Sequence, residues 1–431
     1  MRAMKDSGIQ WLGEYPATWS LKKIKYCLQE RIEKNNPVRT TEILSLTAKQ
    51  GVIPYDQKEG GGNKPKEDVS AYRLAYPGDI VMNSMNILSG SVGLSQYFGC
   101  VSPVYYMLRP WDPKEDVRYY NYIFQTTMFQ RSLYGLGNGI LIKESGNGKL
   151  NTIRMRIPMD KFGGLFIPVA SPDEQSRIAD FLDAKCTEID ALIADVQAQI
   201  DVLEQYKRSV ITETVTKGLN PDAEMKDSGI EWVGMIPAHW SVHPVYTYFG
   251  ERKNKNRFGM EDNLLSLSYG RVIRKNINTS DGLLPESFNT YNIVEAGDII
   301  IRPTDLQNDK RSLRTGLVKE HGIITSAYID LCPIKKVDSR YFHFLLHAYD
   351  VMKVFYNMGN GVRQGLNYSE FSRLMVFEPQ YEEQVAIADF LDAKIAEVNT
   401  IIEQKKEQLE VLDSYKKSLI YEYVTGKKEV I

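Results

Sequence analysis

Basic and amide side chains in turn-rich segments are the groups of this 431-residue chain that could do chemistry. Lysine and arginine alternate there with asparagine, glutamine or serine, as in residues 22–39, 252–257 and 302–314. Lysine and arginine neutralise phosphate, while amides and hydroxyls pair with base edges, so this mixture predicts contact with nucleic acid. The candidate DNA-binding residues are Lys58, Asn63, Lys64, Asn83, Ser84, Asn86, Asn138, Lys143, Arg271, Arg274, Lys275, Arg302, Asn308, Lys310, Arg311, Arg314, Asn360, Arg363 and Gln364. Solvated loops without a ligand have a similar composition, so the interpretation depends on the architecture around them.

Catalytic motifs are matched only weakly. The sequence contains no GxxxxGK[ST] phosphate loop and no Asp/Asn-Pro-Pro-aromatic methylase element. Segment 135–139 (GLGNG) lacks the spacing of a dinucleotide loop, and the nuclease-like PD and DAK letters of 172–185 fall on one predicted helix. His343 and His347 stand four residues apart without the glutamate of a zinc protease, so we expect them to serve helix packing. We therefore predict no catalytic residue, no metal site and no cofactor, in a protein that is not an enzyme.

Composition narrows the class of protein further. Hydrophobic residues make up 43% and charged residues 25% of the chain, as in average soluble globular proteins. The four cysteines show no CxxC spacing, which argues against a disulfide framework or a thiolate zinc site. No apolar run is long enough for a signal peptide or a membrane span, so we expect a cytoplasmic protein without membrane contact.

The chain repeats itself. Residues 4–20 recur at 225–241 with twelve of 17 positions identical, and residues 173–193 recur at 382–402 with the unbroken block IADFLDAK. Between these anchors LSLT matches LSLS, PGDI matches AGDI and GNG matches GNG, in the same order. Each half is therefore expected to be one copy of the same fold.

Each copy is predicted to end in a long helix. Ser171, Pro172 and Glu174 form a helix-start signature, and apolar residues then recur every seven positions, the spacing of a coiled-coil seam. The first seam is Leu182, Ile189, Val196, Leu203 and Val210, and the second, interrupted at Lys405, is Leu391, Val398, Leu412 and Leu419. Each helix would reach ~65 Å at about 1.5 Å per residue. The two helices would bury both seams most simply by packing on each other.

The remainder of each copy is a globular front. Short apolar runs between Gly, Pro, Asn and Asp predict strands and turns, with one helix in each front near 119–133 and 341–356. The predicted fold class is α+β: two tandem-repeat globular domains of mixed strands and short helices, joined by two long helices packed as an antiparallel coiled coil. Residues 1–170 form the first domain, 171–218 the first spacer helix, 219–380 the linker and second domain, and 381–425 the second spacer helix.

Charge is divided unevenly between these parts. Segments 173–217 and 382–425 each contain ten acidic and five basic residues, a net charge of −5 each. Because the whole chain carries −2, the residues outside these helices carry +8. The near-neutral total combines basic fronts with acidic helices, which favours a polyanionic ligand for the fronts.

Four landmarks occur twice in the same order: WLGEYPATW and WVGMIPAHW, a GDI triplet, a GNG triplet, and EQxxIAxFLD at the start of each long helix. In this combination the chain resembles, over essentially its full length, the DNA specificity subunit of type I restriction-modification enzymes. The resemblance implies two target recognition domains that each contact one half of a split site in double-stranded DNA, and helices that act as a molecular ruler. It also implies a non-catalytic host-defence subunit around which two methylation (modification) subunits assemble, with restriction subunits in the full complex.

No sharp motif of that family identifies the base contacts, so the candidate residues rest on loop composition and charge. Two other functions fit parts of the pattern. A freestanding DNA-binding regulator with a coiled-coil dimerisation arm would share the charge division, and a scaffold or filament protein would use the helices. Tight, specific DNA binding by the chain without partners would favour the regulator.

Overall fold

The computed structural model describes residues 2–47, 50–58, 65–85, 90–137, 156–277, 287–304, 306, 313–356, 358 and 365–430. The chain divides into two compact units: Met1–Val196 with Glu407–Ile431, and Gln197–Lys406. Each unit combines one front, residues 1–170 or 219–380, with part of each long helix. The border between the units falls inside both helices, whereas the domain borders proposed from the sequence lie at the helix ends.

The first front is built from short strands and helices. Its strands are β1 (Met4–Asp6), β2 (Glu14–Pro16), β3 (Ser20–Lys23), β4 (Leu28–Glu30), β5 (Leu44–Thr47), β6 (Gly51–Pro54), β7 (Arg73–Ala75), β8 (Ile80–Asn83), β9 (Val92–Leu94), β10 (Gly99–Val101), β11 (Tyr105–Pro110) and β12 (Phe166–Val169). Its helices are α1 (Ile24–Cys27), α2 (Val117–Gln125), α3 (Thr127–Ser132) and α4 (Met159–Gly163), followed by the long helix α5 (Pro172–Lys217). The helix expected near 119–133 is interrupted at Thr126, which has an extended backbone with ψ of 132°.

The second front repeats this order of strands. Its strands are β13 (Met225–Asp227), β14 (Met235–Pro237), β15 (Ser241–Pro244), β16 (Phe249–Glu251), β17 (Leu265–Ser268), β18 (Arg271–Arg274), β19 (Asn292–Val294), β20 (Ile299–Ile301), β21 (Thr315–Leu317), β22 (Gly322–Ile324), β23 (Ile329–Pro333) and β24 (Met375–Glu378). Its helices are α6 (Ser339–Val351) and α7 (Tyr368–Phe371), followed by the long helix α8 (Tyr381–Val424).

The same sheets occur in both fronts. An antiparallel four-stranded sheet has the order β4-β11-β8-β9 in the first front and β16-β23-β20-β21 in the second. A two-stranded hairpin, β5 with β6 or β17 with β18, packs on that sheet. The duplication seen in the sequence is therefore a duplication of strand order and pairing.

The long helices run antiparallel in the first unit. The rings of Phe181 and Tyr423 lie 4.4 Å apart between centroids, and Asp190 pairs with Lys416 at 2.6 Å, so residue numbers rise in one helix as they fall in the other. Much of the predicted seam is buried: Leu182, Ile189, Val196, Leu391, Val398 and Leu419 are each at most 5% exposed.

The other halves of the two helices pair in the second unit. Val215 of α5 and Leu391 of α8 belong to one buried apolar cluster, and Nζ of Lys207 donates to Asn399 at 3.0 Å. The α+β fold class, with repeated fronts and paired long helices, is confirmed. Within the described residues no helix combines the length and hydropathy that crossing a membrane requires.

Candidate nucleic-acid interface

The glutamine of the repeated EQxxIAxFLD motif joins each long helix to its front. Nε2 of Gln175 donates to the carbonyl of Ala170 at 3.1 Å, and its Oε1 accepts from the backbone N–H of Asp116, the N-cap of α2, at 2.9 Å. Gln384 forms the same two bonds in the second unit, 2.9 and 3.0 Å long. Both glutamines are buried. Through these bonds the motif fixes the joint between each front and its long helix, that is, the position of the start of the helix relative to the front.

The aspartates of the same motif hold an arginine. In the second unit the guanidinium of Arg340 lies 2.7 Å from Asp389 and 3.1 Å from Asp392. Arg118 contacts the two equivalent aspartates of the first unit at 2.8 and 2.7 Å. The block IADFLDAK thus recurs because it docks α5 on α2 and α8 on α6.

The GDI landmark supplies a buried carboxylate to another arginine. Nε of Arg31 lies 2.9 Å from Asp79, and Nε of Arg252 lies 2.8 Å from Asp298. Each guanidinium makes two parallel hydrogen bonds, and the aspartates are 2% and 1% exposed. The sequence predicts both arginines as members of basic clusters for phosphate. The structure corrects that prediction, because each guanidinium is already neutralised by its carboxylate.

A further carboxyl group is buried in the second unit alone. Asp330 on β23 is 1% exposed, and the strand register places Met107 at the same position of the first unit. Among the described residues neither Asp330 oxygen accepts a hydrogen bond, and Nε of Arg252 lies 3.9 Å away. Burial, and then the nearby charge of Asp298, raise the pKa of Asp330 to about 8. This carboxyl group therefore holds its proton at neutral pH.

Three predicted DNA contacts are brought together by the hairpin of β17 and β18. Arg271 begins β18, Arg274 ends it, Lys275 follows, and all three are exposed. Arg274 forms an ion pair with Glu320, whereas Arg271 forms none among the described residues. Cations that project from a hairpin packed on a sheet can meet a polyanion in a fixed arrangement.

Three more candidates lie half-buried at the surface of their units. Nζ of Lys58 is 5.8 Å from the Tyr55 ring, Asn83 accepts from the N–H of Met85 at 3.0 Å, and Arg302 directly follows β20. The candidates Asn63, Lys64, Asn86, Asn138, Lys143, Asn308, Lys310, Arg311, Asn360, Arg363 and Gln364 lie outside the described residues and stay predictions.

Two predicted contacts are buried in the described structure. Arg314 is 0% exposed, its Nε donates to the hydroxyl of Tyr356 at 3.1 Å, and its Nη1 donates to the carbonyl of Thr304. Ser84 is 1% exposed and its hydroxyl donates to the carbonyl of Val104 at 2.7 Å. We correct both to structural roles, because their polar groups face the protein interior.

Three side chains absent from the sequence-based candidates are the most exposed large apolar groups of the described residues. Tyr269 is 88% exposed, and Phe258 and Met260 are each 85% exposed. Exposed Arg257 precedes Phe258, and exposed Arg271 follows the Tyr269 turn. The pair YG between the alternating runs LSLS and RVIR is a sequence signal for the hairpin that presents Tyr269.

The histidine pair lies on α6 as neutral imidazoles. Burial lowers the pKa of His343 to about 3 and that of His347 to about 4. Where the structure describes the chain, no group of three or more His, Cys, Asp or Glu side chains is arranged to hold a metal ion. The four cysteines are free thiols, and three of them are buried.

Comparison with known proteins finds relatives of nearly the whole chain. Residues 276–411 match the family described as the type I restriction modification DNA specificity domain. A putative type I restriction enzyme MjaX specificity subunit of Methanocaldococcus jannaschii is 23% identical, and the match covers 97% of this chain and 96% of that protein. The type I restriction enzyme MjaVIII specificity subunit of the same organism is 24% identical over 62% of this chain and 63% of its own length. Neither is described as a freestanding regulator.

Two solved structures share the fold. A chain from work on the complex assembly and conformational transition of the type I R-M system aligns with a TM-score of 0.66 and 11% identity, covering 95% of this chain and 98% of that one. The HsdS subunit of Thermoanaerobacter tengcongensis aligns with a TM-score of 0.50 and 12% identity, covering 96% of this chain and 98% of that one. At these identities the likeness shows a shared fold.

Proposed function

This chain belongs to the specificity subunits of type I restriction-modification systems, and we propose that its two units read the two halves of one asymmetric DNA target. The proposal is supported by a fold that is repeated in both units while the exposed residues differ. The sheets, the buried ion pairs and the helix joints recur in both units. The exposed segments that the frame holds differ from one unit to the other.

A loop held by an asparagine gives one example of the difference. The side chains of Asn35 and Asn256 each donate, at 2.8 Å, to the carbonyl five residues ahead, that of Thr40 or Glu261. The enclosed residues are Asn-Pro-Val-Arg in the first unit and Arg-Phe-Gly-Met in the second. Contacts with base edges depend on the identity of the side chain. The same loop would therefore favour different bases in the two half-sites.

The partners of the chain follow from its family. A type I specificity subunit works in a complex with DNA and with modification and restriction subunits. We infer two modification subunits per chain, because the joint between front and long helix occurs twice, and we infer that α5 and α8 set the spacing of the half-sites. We assign methyl transfer and cleavage to the partners, since the repeated polar motifs of this chain are engaged in its own structural contacts. The cytoplasm is the expected location for a complex that acts on cellular DNA.

Mapping of methylated sites tests this function. The modification partner is expressed in cells with and without this chain, and modified positions are located by sequencing the genomic DNA. We expect methylation only when the chain is present, at a site with two different half-sites and a fixed gap. Methylation at the same positions without the chain, or at one continuous site, would contradict the proposal.

A further inference from the structure

The hairpins of the two units share one apolar face. The inward positions are Leu44, Leu46 and Val52 in β5 and β6, and Leu265, Leu267 and Val272 in β17 and β18. These side chains pack with buried residues of the adjoining four-stranded sheet. Identical residue types at all three positions indicate that the frame of the hairpin is kept in both units.

Two glycines allow the hairpin to lie close to the sheet, because they have no side chain. A Cβ atom on Gly316 would lie 2.5 Å from Cδ1 of Leu267, and one on Gly322 would lie 2.5 Å from the carbonyl oxygen of Asn263. Gly93 and Gly99 allow similarly close approaches in the first unit, at 3.1 and 2.7 Å. The base and inward face of each hairpin are therefore set by the sheet, and only its outer residues are open to variation.

The outer residues of the two hairpins differ in charge and bulk. Arg271 opposes Ser268 in the second unit, where the first unit has Gly51 opposite Thr47. The connection is Tyr269-Gly270 in the second unit and Ala-Lys-Gln, residues 48–50, in the first. Segment 264–277 contains three cations and no acidic residue. A two-stranded ribbon with this charge has the shape and sign that the major groove of DNA accepts.

Tyr269 occupies a backbone conformation that suits other residues better. Its φ is 46° and that of Gly270 is 78°, the pair of positive values that defines a type I′ hairpin turn. Asparagine is favoured at the first of these positions, and a bulky residue there is strained. A strained, almost fully exposed tyrosine at the tip indicates a role in binding.

We propose that the hairpin of β17 and β18 enters the major groove of the second half-site, with Arg271 pairing with a guanine edge and Tyr269 packing against a neighbouring thymine methyl group. An arginine can form two parallel hydrogen bonds with guanine O6 and N7, which distinguishes guanine from the other bases. Arg274 lies on the same strand, but its charge is shared with Glu320. This assignment rests on the proposed function and names the side chains that carry it.

The test uses the complete methylation complex. Arg271→Ala, Arg271→Lys and Tyr269→Asn are compared with wild type and with Arg373→Ala, which removes an exposed arginine between α7 and β24. Modified sites are mapped by sequencing, and binding is measured on the target and on copies with single base changes. At one guanine of the second half-site, we expect the ratio of affinities for the target and for the base-changed copies to fall by about 5- to 150-fold in both Arg271 variants. The first half-site and Arg373→Ala should be unchanged.

Tyr269→Asn separates binding from folding, because it creates the preferred Asn-Gly turn. We expect this variant to melt at the same or a higher temperature while its affinity for the target falls by about 5-fold or more. The hairpin assignment would be overturned if Arg271→Ala still discriminated between bases at every position as well as wild type does. It would also be overturned if Arg271→Ala lost the same affinity for all DNA sequences. Either result would leave the proposed function in place. A wild-type complex that prefers no sequence would overturn both.

Discussion

Nε of Arg252 lies 2.8 Å from Oδ2 of Asp298, which is 1% exposed. Replacing this arginine by alanine leaves a buried carboxylate without its partner. Loss of one member of a buried pair costs about 3–5 kcal/mol, and the partial exposure of Arg252 places the expected loss near the lower figure. Urea unfolding of the full chain measures it. Arg373→Ala, which removes an exposed arginine, should change the free energy of unfolding by less than about 0.5 kcal/mol, and equal unfolding free energies for the two variants would contradict the prediction.

The first unit has a tyrosine, Tyr421, at a position where the second unit has a threonine. The hydroxyl of Tyr421 donates to the carbonyl of Trp11 at 2.9 Å in the first unit, and Trp11 is 6% exposed. The repeat places Thr212 at the same position of the second unit, where a cavity of about 530 Å³ opens beside Trp232, and Trp232 is 47% exposed.

Exchanging these two residues should move stability in opposite directions. Thr212→Tyr should fill the cavity and raise the unfolding free energy by about 0.5–2 kcal/mol. Tyr421→Thr should lower it by about 2–5 kcal/mol, since it creates a cavity and removes a hydrogen bond. Calorimetry of both variants and quenching of Trp232 fluorescence report the change. A Trp232 that stays open to quencher in Thr212→Tyr would show that the cavity is not equivalent to the Tyr421 site.

The buried carboxyl group of Asp330 should make stability depend on pH. Unfolded aspartate releases its proton near pH 3.8, whereas burial and the charges of Asp298 and Glu251 raise the pKa of Asp330 to about 8 against the opposing charge of Arg252. Between these values the unfolded state binds fewer protons, so stability should fall as pH rises. Asp330→Asn keeps the shape of the side chain but cannot ionise. The wild type should lose on the order of 2–4 kcal/mol of unfolding free energy between pH 5 and pH 8 through Asp330, and the variant should not show this loss. Parallel pH profiles of the two proteins would contradict this assignment.

The sequence predicts the repeat, the long helices and the basic charge of the fronts, because each of these features is periodic or additive along the chain. It does not predict which charges are neutralised. Arg252 stands in a basic run, yet its partner Asp298 is 46 residues away and meets it only once β16 and β20 join one sheet. Arg314 is buried for a similar reason, since the hydroxyl that accepts from its Nε belongs to Tyr356, which lies 42 residues further along the chain.

The tip of the second hairpin could have been found from the sequence. Its turn letters, YG, are not the usual NG or DG, so the alternation on both sides is the stronger signal. Phe258 has no such signal, because its exposure follows from a loop whose ends are held by the side chain of Asn256.

The spacer role proposed for α5 and α8 predicts a change of gap without a change of half-sites. One heptad inserted after Val196 in α5, and one after Lys406 in α8, keeps the seam in phase. Each insertion lengthens its helix by about 10.5 Å, which equals about three base pairs at ~3.4 Å each. Sequencing of modified sites should show the two half-sites separated by about three more base pairs. A heptad in α5 alone is the control, because it puts the helices out of register and should reduce activity.

A fragment of residues 1–220 should form a dimer. The C-terminal half of α5 would replace that of α8 on the first front, since Ile211 and Val215 are equivalent to the buried Ile420 and Val424. An isologous contact between identical fragments presents two copies of the same front. Sedimentation should show a dimer, and a stable monomer would show that the helices do not substitute for each other in this way.

The claim that each unit reads its own half-site is tested most directly by mapping the sites that this fragment directs. The fragment and the full chain are each combined with the same modification partner, and methylated positions are located by sequencing. We predict that the fragment directs methylation to a symmetric site, the first half-site and its inverted copy, while the full chain keeps two different half-sites. Continued modification of the original asymmetric target by the fragment would contradict it.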